Sequence, residues 1–171
     1  TQVSTIKKGL RKRREQHRGI EEDEIIKLMG SLDEMCLSPE TAPNLSRKAN
    51  PKSSNAKTER TGEHLLLALR AYVCLTLVSA GRASSIRRIR ISDVSEDHFI
   101  REVSKMRTYS EEVRNSMPAW AFERVEPYLE YCRESHPDAV FLFSEDEQRR
   151  GRGTINPKTL GELVKGSMRN I

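Results

Sequence analysis

The stretch "SAGRASSIRRIRISDV", Ser79 to Val94, decides the fold. It follows "HLLLALRAYVCLTLV", residues 64–78, where apolar side chains cover nearly every side of a helix. A helix that is apolar all round belongs in the middle of a core. Gly81 ends or bends that helix, and Arg82 comes directly after it. "ASSIRRIR", residues 83–90, then reads as a second short helix with Ile86 and Ile89 facing inward. Its arginines, Arg87, Arg88 and Arg90, form a basic face, read either as solvated or as touching phosphates. Arg82 is either an ordinary surface charge after a glycine break or a cation held in place to grip an anion.

Working outward, "DHFIREVS" (97–104) alternates and predicts a strand, with "VRNSMPAW" (113–120) as its partner and "KMRTYSEE" between them as the turn. Pro118 marks the second strand as an edge. Residues 120–134 read as a helix that Pro127 either kinks or opens. "AVFLFS" is a short extended run and "EDEQRRGRGT" a polar loop. "NPKTLGELVKGSM" predicts a helix capped by Asn156 and Pro157, with Leu160, Leu163, Val164 and Met168 on its inner face. On the upstream side, "GIEEDEIIKLMGSLDEMC" predicts a helix whose acidic first turn suits the helix dipole. Ile25, Met29, Leu32 and Cys36 make its apolar face. Residues 38–61, with their prolines and many Ser, Asn and Lys, read as a long loop. "TQVSTIKKGLRKRREQHRG" spaces Val3, Ile6 and Leu10 as in a helix end, then turns basic. Its cations, Lys7, Lys8, Arg11 and Lys12 among them, form either a solvated face or an arm lying on phosphates. Helix dominates, with one small β-hairpin.

Composition bounds the function. The 171 residues suffice for one domain with a real core and an arm. A net charge of +5 fits a nucleic-acid partner without requiring one. The three cysteines, Cys36, Cys74 and Cys132, lie far apart, so neither a zinc cluster nor a disulfide framework is expected. Cys74 reads as buried filler. The apolar run is broken by Arg70 and is too short for a membrane span, and no signal peptide opens the chain. The expectation is a soluble, intracellular protein.

The order of these elements resembles the catalytic domain of tyrosine recombinases, the phage-integrase family. That family carries a pattern close to T-G-L-R-x-S-E-L-x-x-L-x-x-x-D-I, and residues 79–94 align with it without a gap. Arg82 falls on the first catalytic arginine, Ile86 and Ile89 on the core leucines, and Asp93-Val94 on the closing Asp-Ile. A hairpin bearing a lysine follows, matched here by Lys105, and "RNSMP" (114–118) resembles the ending of its second strand. "FLFS…GRGTINPKTLGELVK" and "HRGIEEDEIIKLM" resemble a later helix and the domain entry. The likeness spans about residues 18–168. Ser85 departs from it, since the family has Glu or Asp there. Downstream of the hairpin no His-x-x-Arg and no C-terminal nucleophilic tyrosine follow.

The resemblance implies a mainly α domain with a small antiparallel hairpin, an α+β fold like a truncated recombinase catalytic domain. Residues 1–18 would be the basic interdomain linker and 19–171 the catalytic-domain part. It implies a protein that binds double-stranded DNA, self-associates on it and, when complete, cuts and rejoins it at specific sites through a 3′-phosphotyrosyl intermediate. No metal, cofactor, small-molecule ligand or membrane is implied, and the protein would be found with DNA in nucleoid, cytoplasm or nucleus. Arg82 would stabilise charge on the non-bridging phosphate oxygens, a task for a planar, permanently charged fork. Lys105 would protonate the leaving oxygen, although hairpin lysines also serve as edge protection. Lys7, Lys8, Arg11, Lys12, Arg87, Arg88 and Arg90 would meet phosphates. One rival is a non-catalytic DNA-binding protein that keeps the fold; another is a helical protein-interaction module without a DNA role.

Overall fold

A computed structural model describes residues 21–40, 42, 45, 62–106, 109–143, 152–155 and 157–168; the side chains of 104–106, 109, 110, 152 and 157 are not among the described features. The chain is mainly helical with a small antiparallel sheet, an α+β arrangement.

Helix α1 spans Glu22–Leu37. Glu22, Asp23 and Glu24 occupy its first turn, where carboxylates meet unpaired N–H groups, and Glu24 Oε2 accepts from the Glu21 N–H at 2.9 Å. The buried stripe is Leu28, Met29, Leu32 and Met35. It is rotated from the expected one: Ile25 and Cys36 are only partly buried. Helix α2, Glu63–Ser79, is the centre of the core and packs on α1, on α4 and on α5 (the latter two Ala119–Ser135 and Pro157–Ser167). Leu66, Leu69, Ala71, Cys74 and Leu75 are buried on different sides of it, as its all-round apolar surface demands.

The short helix α3, Ala83–Arg87, leads through a 3₁₀ turn at Ile91–Asp93 to strand β1, His98–Met106. Strand β2, Tyr109–Ser116, returns antiparallel, with His98 opposite Ser116 and Met106 opposite Tyr109. The hairpin is therefore longer than expected: "KMRTYSEE" belongs mostly to the strands, and only positions 107–108 separate them. The second strand stops at Ser116, and Pro118 is the N-cap of α4. Helix α4 thus begins at Ala119, and Pro127 sits inside it rather than opening it. There it leaves the Glu123 carbonyl without a helical donor.

Residues 139–143 are threaded into the core. Strand β3, Ala139–Phe141, pairs in parallel with the two-residue β4, Arg152–Gly153, a second small sheet that the sequence reading does not foresee. The Leu142 N–H donates to the Ile89 carbonyl at 2.8 Å, fixing this segment to the end of α3. The Tyr128 hydroxyl meets Thr154 Oγ1, which donates onward to the Leu142 carbonyl. On α5, Leu160 and Leu163 are buried, but Met168, expected on the inner face, is 49% exposed. Leu45 and Ala42, from the segment expected to be a long loop, are buried, and the Leu45 backbone lies against Gly166 of α5.

Candidate functional site

Helix α2 ends in a tightly specified turn. Ala80 has φ 47° and ψ 31°, the only positive φ at a non-glycine among the described residues. That conformation costs an L-residue roughly 1–2 kcal/mol. Glycine is the usual occupant of such a helix end, and the expected breaker, Gly81, is one residue too late. Gly81 is needed for room instead: a Cβ there would stand 2.8 Å from both Ile86 Cδ1 and Ser79 Oγ. The Ser79 hydroxyl donates to the Leu75 carbonyl at 2.7 Å and accepts from the Gly81 N–H at 3.1 Å.

Arg82 leaves this turn as the N-cap of α3, its carbonyl accepting from the Ser85 and Ile86 N–H groups at 2.9 and 3.1 Å. Ile86 and Ile89 are fully buried, as expected, so the backbone on both sides of Arg82 is anchored in the core. The Arg82 side chain is exposed and has no hydrogen bond or ion pair with any other described residue. Ser85, at the position where the recombinase pattern has a carboxylate, is buried at 4% exposure.

The neighbouring arginines are engaged. Arg88 donates from Nε to the Ser84 carbonyl at 3.2 Å and lies 4.0 Å from Glu102 of β1. Arg90 pairs with Glu112 of β2 at 3.9 Å. Arg87 is half-buried near Tyr72, where its charge partly offsets the burial that raises the Tyr72 phenol. Arg88 and Arg90, which follow α3, are thus tied by charge to Glu102 and Glu112 of the hairpin. Lys105 lies within β1, beside the irregularity between Ser104 and Met106, rather than after the strand; its side chain is outside the described features. Lys7, Lys8, Arg11 and Lys12 also lie outside the described residues.

Two arrangements escape the sequence reading. Asp33 of α1 receives Arg124 of α4 at 3.0 Å from Nε and 2.7 Å from Nη2, while Arg70 of α2 approaches it at 3.4 Å. The pair is 91 positions apart, so no local pattern announces it. Beside it an open groove of about 440 Å³ runs between α1 and α4, lined by Ile25, Ile26, Met29 and Trp120. The second is Arg101 of β1, which donates to Asn115 Oδ1 of β2 at 3.0 Å and to the Ser79 carbonyl at 3.4 Å. His98 and Arg101 do have His-x-x-Arg spacing, but on a strand residues three apart point to opposite faces. His98 Nδ1 lies instead 2.6 Å from Asp97 and 2.8 Å from Ser95.

The three cysteines and Tyr128 are poorly suited to act as nucleophiles. Burial pushes the Cys74 thiol up to about 12 and raises Cys36 and Cys132. It raises the Tyr128 phenol far above its ordinary value, chiefly by desolvation. Among the described residues no group of three His, Cys, Asp or Glu side chains is placed to hold a metal, and no helix is long and apolar enough to cross a membrane. Comparisons with protein-family models, with curated proteins and with solved structures return no match.

Proposed function

We propose that the chain binds double-stranded DNA and is part of a tyrosine-recombinase-like catalytic domain, with Arg82 directed at a backbone phosphate. The observation that carries this is the turn at 79–82. In the ungapped alignment with the recombinase pattern, Ala80 falls on the pattern's glycine, and Ala80 takes the left-handed conformation that glycine favours. Two positions later Arg82 is exposed and unengaged by any described residue, while Arg88 and Arg90, just after α3, have carboxylate partners on the hairpin. A free guanidinium on an ordered backbone suits phosphate recognition, because its fork is available and the backbone that carries it need not be ordered on binding. In a complete recombinase this cation would stabilise the transition state of strand cleavage by a tyrosine, and Lys105 would serve the leaving oxygen.

A second reading keeps duplex binding and drops the chemistry. Ser85 favours it: a neutral residue in a buried position replaces the carboxylate that the pattern uses. Both readings are tested by titrating a labelled duplex with the chain over a range of salt concentrations. Affinity that falls steeply with salt supports DNA binding. A flat response, or no binding at low salt, leaves the protein-interaction module as the better reading.

A further inference from the structure

We propose that Arg101 is a positioning residue for Arg82: it holds the Ser79 carbonyl and so keeps the Ala80 turn in the conformation that aims Arg82. This deepens the DNA reading and rests on it. An isolated alanine does not stay at φ 47° by preference. Such a residue persists only where its surroundings over-determine it. Three contacts do so here. The Ser79 hydroxyl bridges the Leu75 carbonyl and the Gly81 N–H. Ile86, fully buried, packs close enough to Gly81 that no Cβ fits there. Arg101 reaches across from the hairpin to the Ser79 carbonyl, one of the carbonyls a helix end leaves without an N–H donor.

The guanidinium is itself fixed. Its Nε donates to Asn115 Oδ1 on the neighbouring strand, so one planar fork ties β1 to β2 and both to the end of α2. Arg101 has its fork directed at these two acceptors, whereas Arg82 has no described partner. The division of labour follows: Arg101 serves the turn and Arg82 meets the anion. The clamp also supplies a constraint on Arg82 that does not depend on a carboxylate at position 85, where this chain has serine.

The test combines a double-mutant cycle with amide exchange in the 171-residue chain. Arg82→Ala should weaken binding to a labelled duplex at low salt by about threefold, as loss of one phosphate contact does. Arg101→Ala should weaken it by a similar factor. In the Arg82→Ala background Arg101→Ala should add almost nothing, because its effect runs through Arg82. Arg101→Ala should also speed exchange of the Gly81 amide by about tenfold, with helix content unchanged. Arg101→Lys, which keeps the charge and loses the fork, should behave like Arg101→Ala. Multiplicative losses in the double variant, or full retention of affinity by Arg101→Lys, would overturn the proposal in favour of a direct phosphate contact. Unchanged Gly81 exchange would overturn it as well. If Arg101→Ala speeds that exchange while Arg82→Ala leaves affinity untouched, the clamp stands and the DNA reading of Arg82 fails. Should Arg101→Ala not fold, Asn115→Ala, which removes only the Nε acceptor, should give the same pattern at smaller amplitude; no change in Gly81 exchange there would sink the clamp.

Discussion

Ala80 and Gly81 make the same turn for opposite reasons, and exchanging their side chains separates them. Ala80 pays for a left-handed backbone, so Ala80→Gly should be neutral to stabilising by up to about 1 kcal/mol. Gly81→Ala places a methyl 2.8 Å from two heavy atoms and should destabilise by about 1–3 kcal/mol. Urea unfolding of the two variants reads both signs; the reverse order would refute the turn. Arg82 and Arg88 form a second contrast. Once the chain is joined to a nucleophilic tyrosine, Arg82→Ala should cut strand cleavage by roughly a hundredfold while most duplex affinity survives. Arg88→Ala should change cleavage little, because Arg88 is already committed to Ser84 and Glu102. Similar behaviour of the two would make Arg82 a surface charge. Cys74 gives a pH signature. Its folded pKa, about 12, lies above the unfolded thiol value, so its contribution is fully present below about pH 9 and is lost as pH rises towards 12. Stability should fall above pH 9 by up to about 1.4 kcal/mol per pH unit from this group. Cys74→Ala, followed by urea unfolding at pH 7 and pH 10, should show the shallower fall; equal slopes would remove the thiol as its source.

At the scale of elements, the packing of α5 turns on one glycine. A Cβ at Gly166 would run into the Leu45 backbone, whereas Gly161 on the same helix has nothing within 4 Å. Gly166→Ala should destabilise by about 1–3 kcal/mol and Gly161→Ala should stabilise by up to about 1 kcal/mol. Thermal unfolding checks both, and equal shifts would show that residue 45 does not seat against α5. These contacts also show what the sequence could reveal. Helix α2 was legible because its apolar residues surround the axis, and Ile86 and Ile89 because a three-residue spacing marks one helix face. The outer hairpin was not: Val113 to Ser116 were legible as strand, but "KMRTYSEE" is mostly polar and carries no apolar alternation, so its strand residues read as turn. The helix end was legible from Gly81, but that Ala80, one residue earlier, takes the left-handed conformation was not, because alanine carries no signal for it. Arg101 was invisible as a clamp, since its acceptors, Ser79 and Asn115, lie on elements whose approach only the tertiary fold fixes.

At the scale of the whole molecule, a charge of +5 says less than where the charges are spent. Arg88 and Arg90 meet Glu102 and Glu112, Arg124 and Arg70 meet Asp33, and Arg114 meets Asp97 at 3.6 Å. Much of the described surface is thus internally balanced, and non-specific DNA affinity should be modest. Each phosphate neutralised adds about 0.9 to the slope of log affinity against log salt. If Lys7, Lys8, Arg11 and Lys12 lie on phosphates, changing all four to glutamine should flatten that slope by roughly three to four. If they form only a solvated face, the slope should not move. The hairpin gives the complementary measurement. Glu112→Gln releases Arg90, whose side chain is 49% exposed, and should tighten duplex binding by a few fold at low salt while steepening the slope by about one. This is the more discriminating experiment, because it predicts a gain. Loss of a carboxylate anywhere on a basic protein raises long-range attraction slightly, and at low salt that effect reaches well beyond the roughly 10 Å that applies at 0.1 M, so a control is needed. The control is Glu130→Gln, exposed on α4, the same charge change at a residue that makes no ion pair with a described residue. A gain confined to Glu112→Gln would place DNA along α3 and the hairpin beside Arg82; equal gains in both variants would remove the hairpin face from the interface.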